Sequence, residues 1–139
     1  KHLTNMAHPI EHAKNSVIKF GGKIEDYLPI HHWLDETKGW VGESLHRIFR
    51  HHSEGIFEAE NVFGPTLINS DGAIVYTRYV AEQHVREDCD GYIPSAKEWV
   101  MHLKSGKPAL WMIKTQKIVS TGEIPINKTD DGTDSKTKL

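Results

Sequence analysis

Apolar residues recur at helical spacing along most of the chain, and proline and glycine mark the breaks between runs. Pro9 suits a first helical position, where its missing N–H would have no partner anyway, with His8 as the N-cap. Ala13, Ser16, Val17 and Phe20 then form one stripe, and Gly21-Gly22 ends the run. Pro29 opens a second short helix the same way, with Ile30, Trp33, Leu34 and Thr37 inward and Gly39 at its end. A long helix over 40–63 follows. Its stripe is Leu45, Ile48, Phe49, His52, Ile56, Ala59, Val62 and Phe63, and Gly64-Pro65 closes it. The period then changes to two. The runs 66–69 and 73–78 flank Asn69-Ser70-Asp71-Gly72, which reads as a β-hairpin. A helix over 79–88 comes next, ended by Asp90-Gly91. Ser95 with Glu98 forms a capping box for a last helix with Trp99, Val100 and Leu103 inward.

The fold class is therefore mainly α: a compact helical domain of about five helices, with one inserted β-hairpin and a polar C-terminal tail. Residues 6–112 form the domain. Residues 1–5, before Met6, read as a leader or an expression remnant. Residues 113–139 are an extension in which Ile118-Val119 and Ile124-Pro125-Ile126 can lay down an edge strand, and from about 127 the composition is that of a disordered tail.

Composition narrows the function classes. The chain has 139 residues, a net charge of −2 with histidines neutral, and ten histidines. That charge argues against a nucleic-acid footprint. The single cysteine, Cys89, excludes an intrachain disulfide and a cysteine-rich zinc site, and between Asp88 and Asp90 its thiolate is disfavoured. No apolar run approaches the ~18 residues that span a bilayer, so no membrane partner is expected and the location reads as cytoplasmic.

The histidines carry the chemical signal. His8/His12, His31/Asp35 and His84/Asp88 each stand four residues apart, on one helical face. His52 lies on the apolar stripe of the long helix with His51 beside it, and nearby Gly55 is costly in a helix unless another backbone or a bound group comes close. His12, His31, His51, His52 and His84 are the candidate metal ligands. Asp35, Glu60 and Asp88 are the candidate catalytic carboxylates, with Glu87 a further one. Arg47 and Arg50 fall on the outer side of the long helix. Imidazoles and carboxylates converging from several helices point to a divalent transition metal, zinc first, then iron or manganese; the nitrogen-rich set argues against calcium or magnesium. With an open coordination position, such a site hydrolyses a phosphate-containing or other ester substrate. The competing reading is a non-enzymatic interaction or regulatory module whose histidines are structural.

The strings HPIEHAKNSVIKFGG (8–22), HRIFRHHSEGIFEAENVFG (46–64), NSDG (69–72) and EQHVREDCDGYIP (82–94) resemble a small family of uncharacterised bacterial and phage proteins over about 8–112. The resemblance implies an intracellular bacterial or viral protein and brings no activity with it. His51-His52 stands where the His/Asp-rich metal phosphohydrolases, a looser likeness, carry a His-Asp pair.

Overall fold

The computed structural model describes residues 2–42, 45–107 and 111–112, with side chains from residue 9 onward. The expected cap by the His8 side chain and the strand-forming residues of the tail lie outside them. The described residues form seven helices and one hairpin: α1 His2–Phe20, α2 Ile24–Asp35, α3 Lys38–Val41, α4 Arg47–Arg50, α5 Ser53–Phe63, β1 Thr66–Ile68, β2 Ile74–Tyr76, α6 Thr77–Asp88 and α7 Ala96–Ser105. Five of the helices are ten residues or longer, so the mainly helical class with one inserted hairpin holds.

The boundaries depart from the sequence reading in three places. α1 begins at His2, so Pro9 stands inside it rather than at its first turn. α2 begins at Ile24, five residues before Pro29. Its start is fixed by Asp26, whose Oδ2 accepts the Lys23 N–H at 2.7 Å, a local bond that outweighs the rung lost at the proline. The expected long helix over 40–63 is three helices. At the second break, His51 leaves the helical region (φ −89°, ψ 64°) and His52 is fully extended, capping α5 through Nδ1, which accepts the Gly55 N–H at 3.0 Å. The joint folds the Arg50 carbonyl so tightly over the next turn that a Cβ at residue 55 would run into it. That close approach explains the glycine.

The core follows the stripes. Ala13 from α1, Tyr27, Ile30 and Leu34 from α2, Ile56 and Ala59 from α5, and Val80, Ala81 and Val85 from α6 pack together. On α2 the buried set Tyr27, Ile30, His31, Leu34, Asp35 has one-sided helical spacing, which brings His31 and Asp35 in with the apolar residues. On the broken segment and α7 the stripe is less faithful: Leu45, Phe49, Val62, Val100 and Leu103 are exposed.

The hairpin pairs Thr66 with Tyr76, Leu67 with Val75 and Ile68 with Ile74. Asn69 makes its turn, accepting the N–H groups of Asp71 and Ala73 at 2.9 and 3.0 Å. Its Nδ2 also donates to the Phe20 carbonyl and the Tyr27 hydroxyl, both at 3.1 Å, which docks the tip against the α1–α2 corner. At that corner Gly21 and Gly22 have φ of 84° and 78°, a left-handed turn that favours glycine.

α7 is held by the expected capping box. Ser95 Oγ accepts the Glu98 N–H at 3.1 Å, and Glu98 Oε1 accepts the Ser95 N–H at 2.9 Å. We expect Ser95→Ala to cost about 1 kcal/mol in a urea titration. α7 matters to the interior because Trp99 Nε1–H donates to the His51 carbonyl at 2.8 Å, bracing the joint between α4 and α5.

Candidate metal centre

Four side chains from three parts of the fold aim at one point: Asp35 at the end of α2, His51 in the α4–α5 joint, and His84 and Asp88 one turn apart on α6. Among the described residues they form a group in which each offers one donor atom within 4.8 Å of the others. The individual spacings are shorter. His84 Nε2 lies 3.1 Å from Asp35 Oδ1, 3.3 Å from Asp88 Oδ2 and 3.1 Å from His51 Nε2. His51 Nε2 lies 3.3 Å from Asp35 Oδ1 and 3.0 Å from Asp88 Oδ2. Nitrogen and oxygen donors placed ~2.0–2.1 Å from a tetrahedral ion are separated by about 3.3–3.4 Å, so these five of the six spacings fit a shell that could hold a metal ion as well as they fit hydrogen bonds.

A chain of hydrogen bonds assigns the protons behind it. Gln83 Nε2 donates to the His12 carbonyl at 2.9 Å and to Glu87 Oε2 at 3.0 Å, which fixes the amide orientation. Gln83 Oε1 therefore accepts the Ser16 hydroxyl hydrogen at 2.6 Å. With that hydrogen spent, Ser16 Oγ accepts from His31 Nε2–H at 2.8 Å. His31 Nδ1 is then an acceptor, and His84 Nδ1–H donates to it at 2.9 Å. His84 Nε2 in turn faces two carboxylate oxygens, a position that either a second ring hydrogen or a cation between the three atoms satisfies. His31 suits its role in the relay: burial first, then the neighbouring His84 and His12 rings, push its pKa well below the usual 6.5, so the ring is neutral.

The carboxylates are ionised. Burial pushes Asp35 upward, but His84, His46 and His51 around it outweigh this and hold its carboxyl well below the usual range. Asp88 is depressed for the same reason by His12, His51 and His84. Asp35 and Asp88 accordingly stand inside the cluster as donors rather than beside it as free bases. Asp35 Oδ2 is buried with no hydrogen-bond partner among the described residues, and Asp35 forms part of the wall of an open cleft of ≈ 650 Å³ with Pro29, Trp33 and Phe63.

His12 flanks the cluster. Its Nδ1 meets Glu87 Oε1 at 2.6 Å, its Nε2 lies 3.4 Å from Asp88 Oδ1, and its ring centroid is 3.8 Å from that of His84. Burial lowers its pKa, yet Asp88 and Glu87 prevail and raise it to about 9. In metal-stripped protein this pairing contributes stability that is fully present below pH 6.5. It is lost as pH rises through about 9. The urea midpoint should fall between about pH 6 and about pH 10, and His12→Gln should flatten that fall.

Of the expected ligands, then, His12, His31, His51 and His84 are brought together, with His12 and His31 in supporting positions around the four donors. His52 is not. Its Nδ1 caps α5 and its Nε2 meets the Ile48 carbonyl at 2.9 Å, so both ring nitrogens are used by the backbone of the joint. Glu60 is also outside, accepting from Arg78 Nε at 3.2 Å. Eight residues after His52 on a continuous helix, Glu60 would share its face, but α5 starts only at Ser53. The sequence reading missed His46, whose Nε2 lies 3.3 Å from Asp35 Oδ1 in full burial; a helical wheel drawn through the break misplaces it. It also missed the relay roles of Ser16 and Gln83. A serine on an apolar stripe was the available signal for the first.

The model of a known family covers residues 7–112, which include every residue of the cluster. The chain belongs to the DUF6915 family. Its description is a domain of unknown function, so membership fixes the extent of the DUF6915 domain and assigns no chemistry. No curated protein and no solved structure matches the chain. Among the described residues of the DUF6915 domain, no helix is long and apolar enough to cross a membrane.

Proposed function

We propose that this domain binds one divalent transition-metal ion through Asp35, His51, His84 and Asp88, and that the ion serves hydrolysis of a phosphate or other ester. One observation carries the reading: His84 Nε2, on a ring whose Nδ1 hydrogen is held by the relay through His31, Ser16 and Gln83, faces Asp35 Oδ1 and Asp88 Oδ2 at 3.1 and 3.3 Å, with His51 Nε2 at 3.1 Å. Two imidazoles with two carboxylates suit zinc first, then iron or manganese. Four protein donors fill a tetrahedral shell, so a hydrolytic role would require the ion to take one further ligand, and a water held there would be activated near neutral pH. The hydrolytic part is supported by Asp35, which closes the shell on one side and walls an open cleft on the other. The bacterial or phage setting and the cytoplasmic location rest on the motif strings.

A second reading, an interaction module with structural histidines, is favoured by His51. Its buried Nδ1 has no hydrogen-bond partner among the described residues. That suits a ring protonated on Nε2 and donating to Asp88, whereas metal-bound histidines usually anchor the other ring nitrogen. Elemental analysis of untagged protein decides. Near-stoichiometric zinc, iron or manganese supports the metal centre. Protein that is metal-free and takes up none of the three leaves the structural reading.

A further inference from the structure

The two arginines of α4 have opposite fates. Arg50 is fully used: its Nη1 donates to the Trp33 carbonyl at 2.6 Å and to Glu36 at 2.8 Å, and its guanidinium lies 4.0 Å over the Trp33 ring. Arg47 turns inward instead, with its side chain 13% exposed. Its Nε is buried without a hydrogen-bond partner among the described residues, and its nearest carboxylate contact there is Nη2 to Asp88 Oδ1 at 4.0 Å, beyond hydrogen-bond reach. A guanidinium is always charged and carries five donors in a rigid fork. A buried N–H of that fork left unbonded is costly.

Asp88 cannot relieve it. Its Oδ2 meets His51 and His84, and its Oδ1 faces His12 Nε2 at 3.4 Å. Glu87 is committed as well, to His12 and Gln83. The rim beside Arg47 reaches solvent, with Glu87 at 30% and Asp88 at 11% side-chain exposure. Arg47 Nη2 stands 4.0 Å from Asp88 Oδ1, beside the oxygen that meets His51 and His84. A guanidinium fork next to a metal ligand suits an oxyanion that has oxygens for both.

We propose that Arg47 is the anion anchor of this centre and that the natural ligand presents a phosphoryl group, held by the Arg47 guanidinium beside the metal position. This rests on the metal reading above.

The test is calorimetric titration of inorganic phosphate into the metal-loaded full chain, with Arg47→Gln compared at equal metal content. Arg47→Gln should weaken phosphate binding by about tenfold or more while the ion is retained. Equal affinities, or a metal-loaded wild type that does not bind phosphate, overturn the anchor. Failure of the metal reading shows separately, as wild type that holds no ion. The same comparison on that metal-free chain then decides the arginine by the same criterion. Should Arg47→Gln not fold, phenylglyoxal modification of the wild type, read residue by residue by mass spectrometry, replaces it. Phosphate should protect Arg47 and leave the exposed arginines reactive. No protection, or equal protection by acetate, overturns the phosphoryl assignment.

Discussion

Removing the ion should lower the thermal midpoint of the domain by about 15 °C or more. A ligand that binds the native state alone, present at ~1,000 times its dissociation constant, adds about 4 kcal/mol, and each kcal/mol moves a domain of this size by about 4–8 °C. The four donors come from the end of α2, the α4–α5 joint and α6, so the ion ties together segments far apart in sequence. Without it, the two buried carboxylates are held by imidazoles alone. His84→Gln should lose the bound metal and melt near the chelated wild type, and chelator should barely affect that variant. Differential scanning fluorimetry with and without chelator reads both. A wild type that melts identically in the two conditions contradicts the metal centre.

Gly55→Ala should destabilise the protein by roughly 3 kcal/mol or more. Intrinsic propensity points the other way: alanine for glycine inside a helix gains about 1 kcal/mol. The steric term decides the sign. The new Cβ would meet the carbonyl carbon, carbonyl oxygen and Cα of Arg50, all backbone atoms. Backbone cannot swing aside as a side-chain tip can, so the joint itself must open. His51 sits in that joint and its carbonyl is held by Trp99, so metal content should fall together with the urea midpoint. A Gly55→Ala protein of near wild-type stability would show that the joint has slack.

Much of this arrangement was legible in the sequence. The i,i+4 pairs His31/Asp35 and His84/Asp88 lie on regular helices, where spacing alone puts both members on one face, and both pairs enter the cluster. The hairpin was legible because Asn69 to Gly72 encode their own turn. The stretch 40–63 was not, and the reason is physical. Its apolar residues keep a helical period across the two breaks, so periodicity carries no trace of them. What interrupts the helix is local: an extended His52 that uses its own ring as a cap, and a glycine that admits the Arg50 carbonyl. Every misplacement at the site follows from that. His52 and Glu60 were drawn in by a continuous wheel, while His46 and Arg47 were left out by it. The relay was illegible for another reason. Gln83 meets Glu87 at i,i+4 on α6, but the bonds that join Ser16 to Gln83 and His31, and Gln83 to His12, are tertiary, and no spacing along the chain encodes those.

The depth of the four donors also governs how quickly the ion can come and go. His51 and His84 are fully buried, and Asp35 and Asp88 nearly so, so a chelator in solution can reach at most the side of the ion left to solvent and cannot displace the four donors while the helices are docked. Exchange has to wait for α6 or the α4–α5 joint to lift away. The rate at which a coloured chelator extracts the ion should therefore become independent of chelator concentration, and that plateau is a direct clock for local opening of the domain.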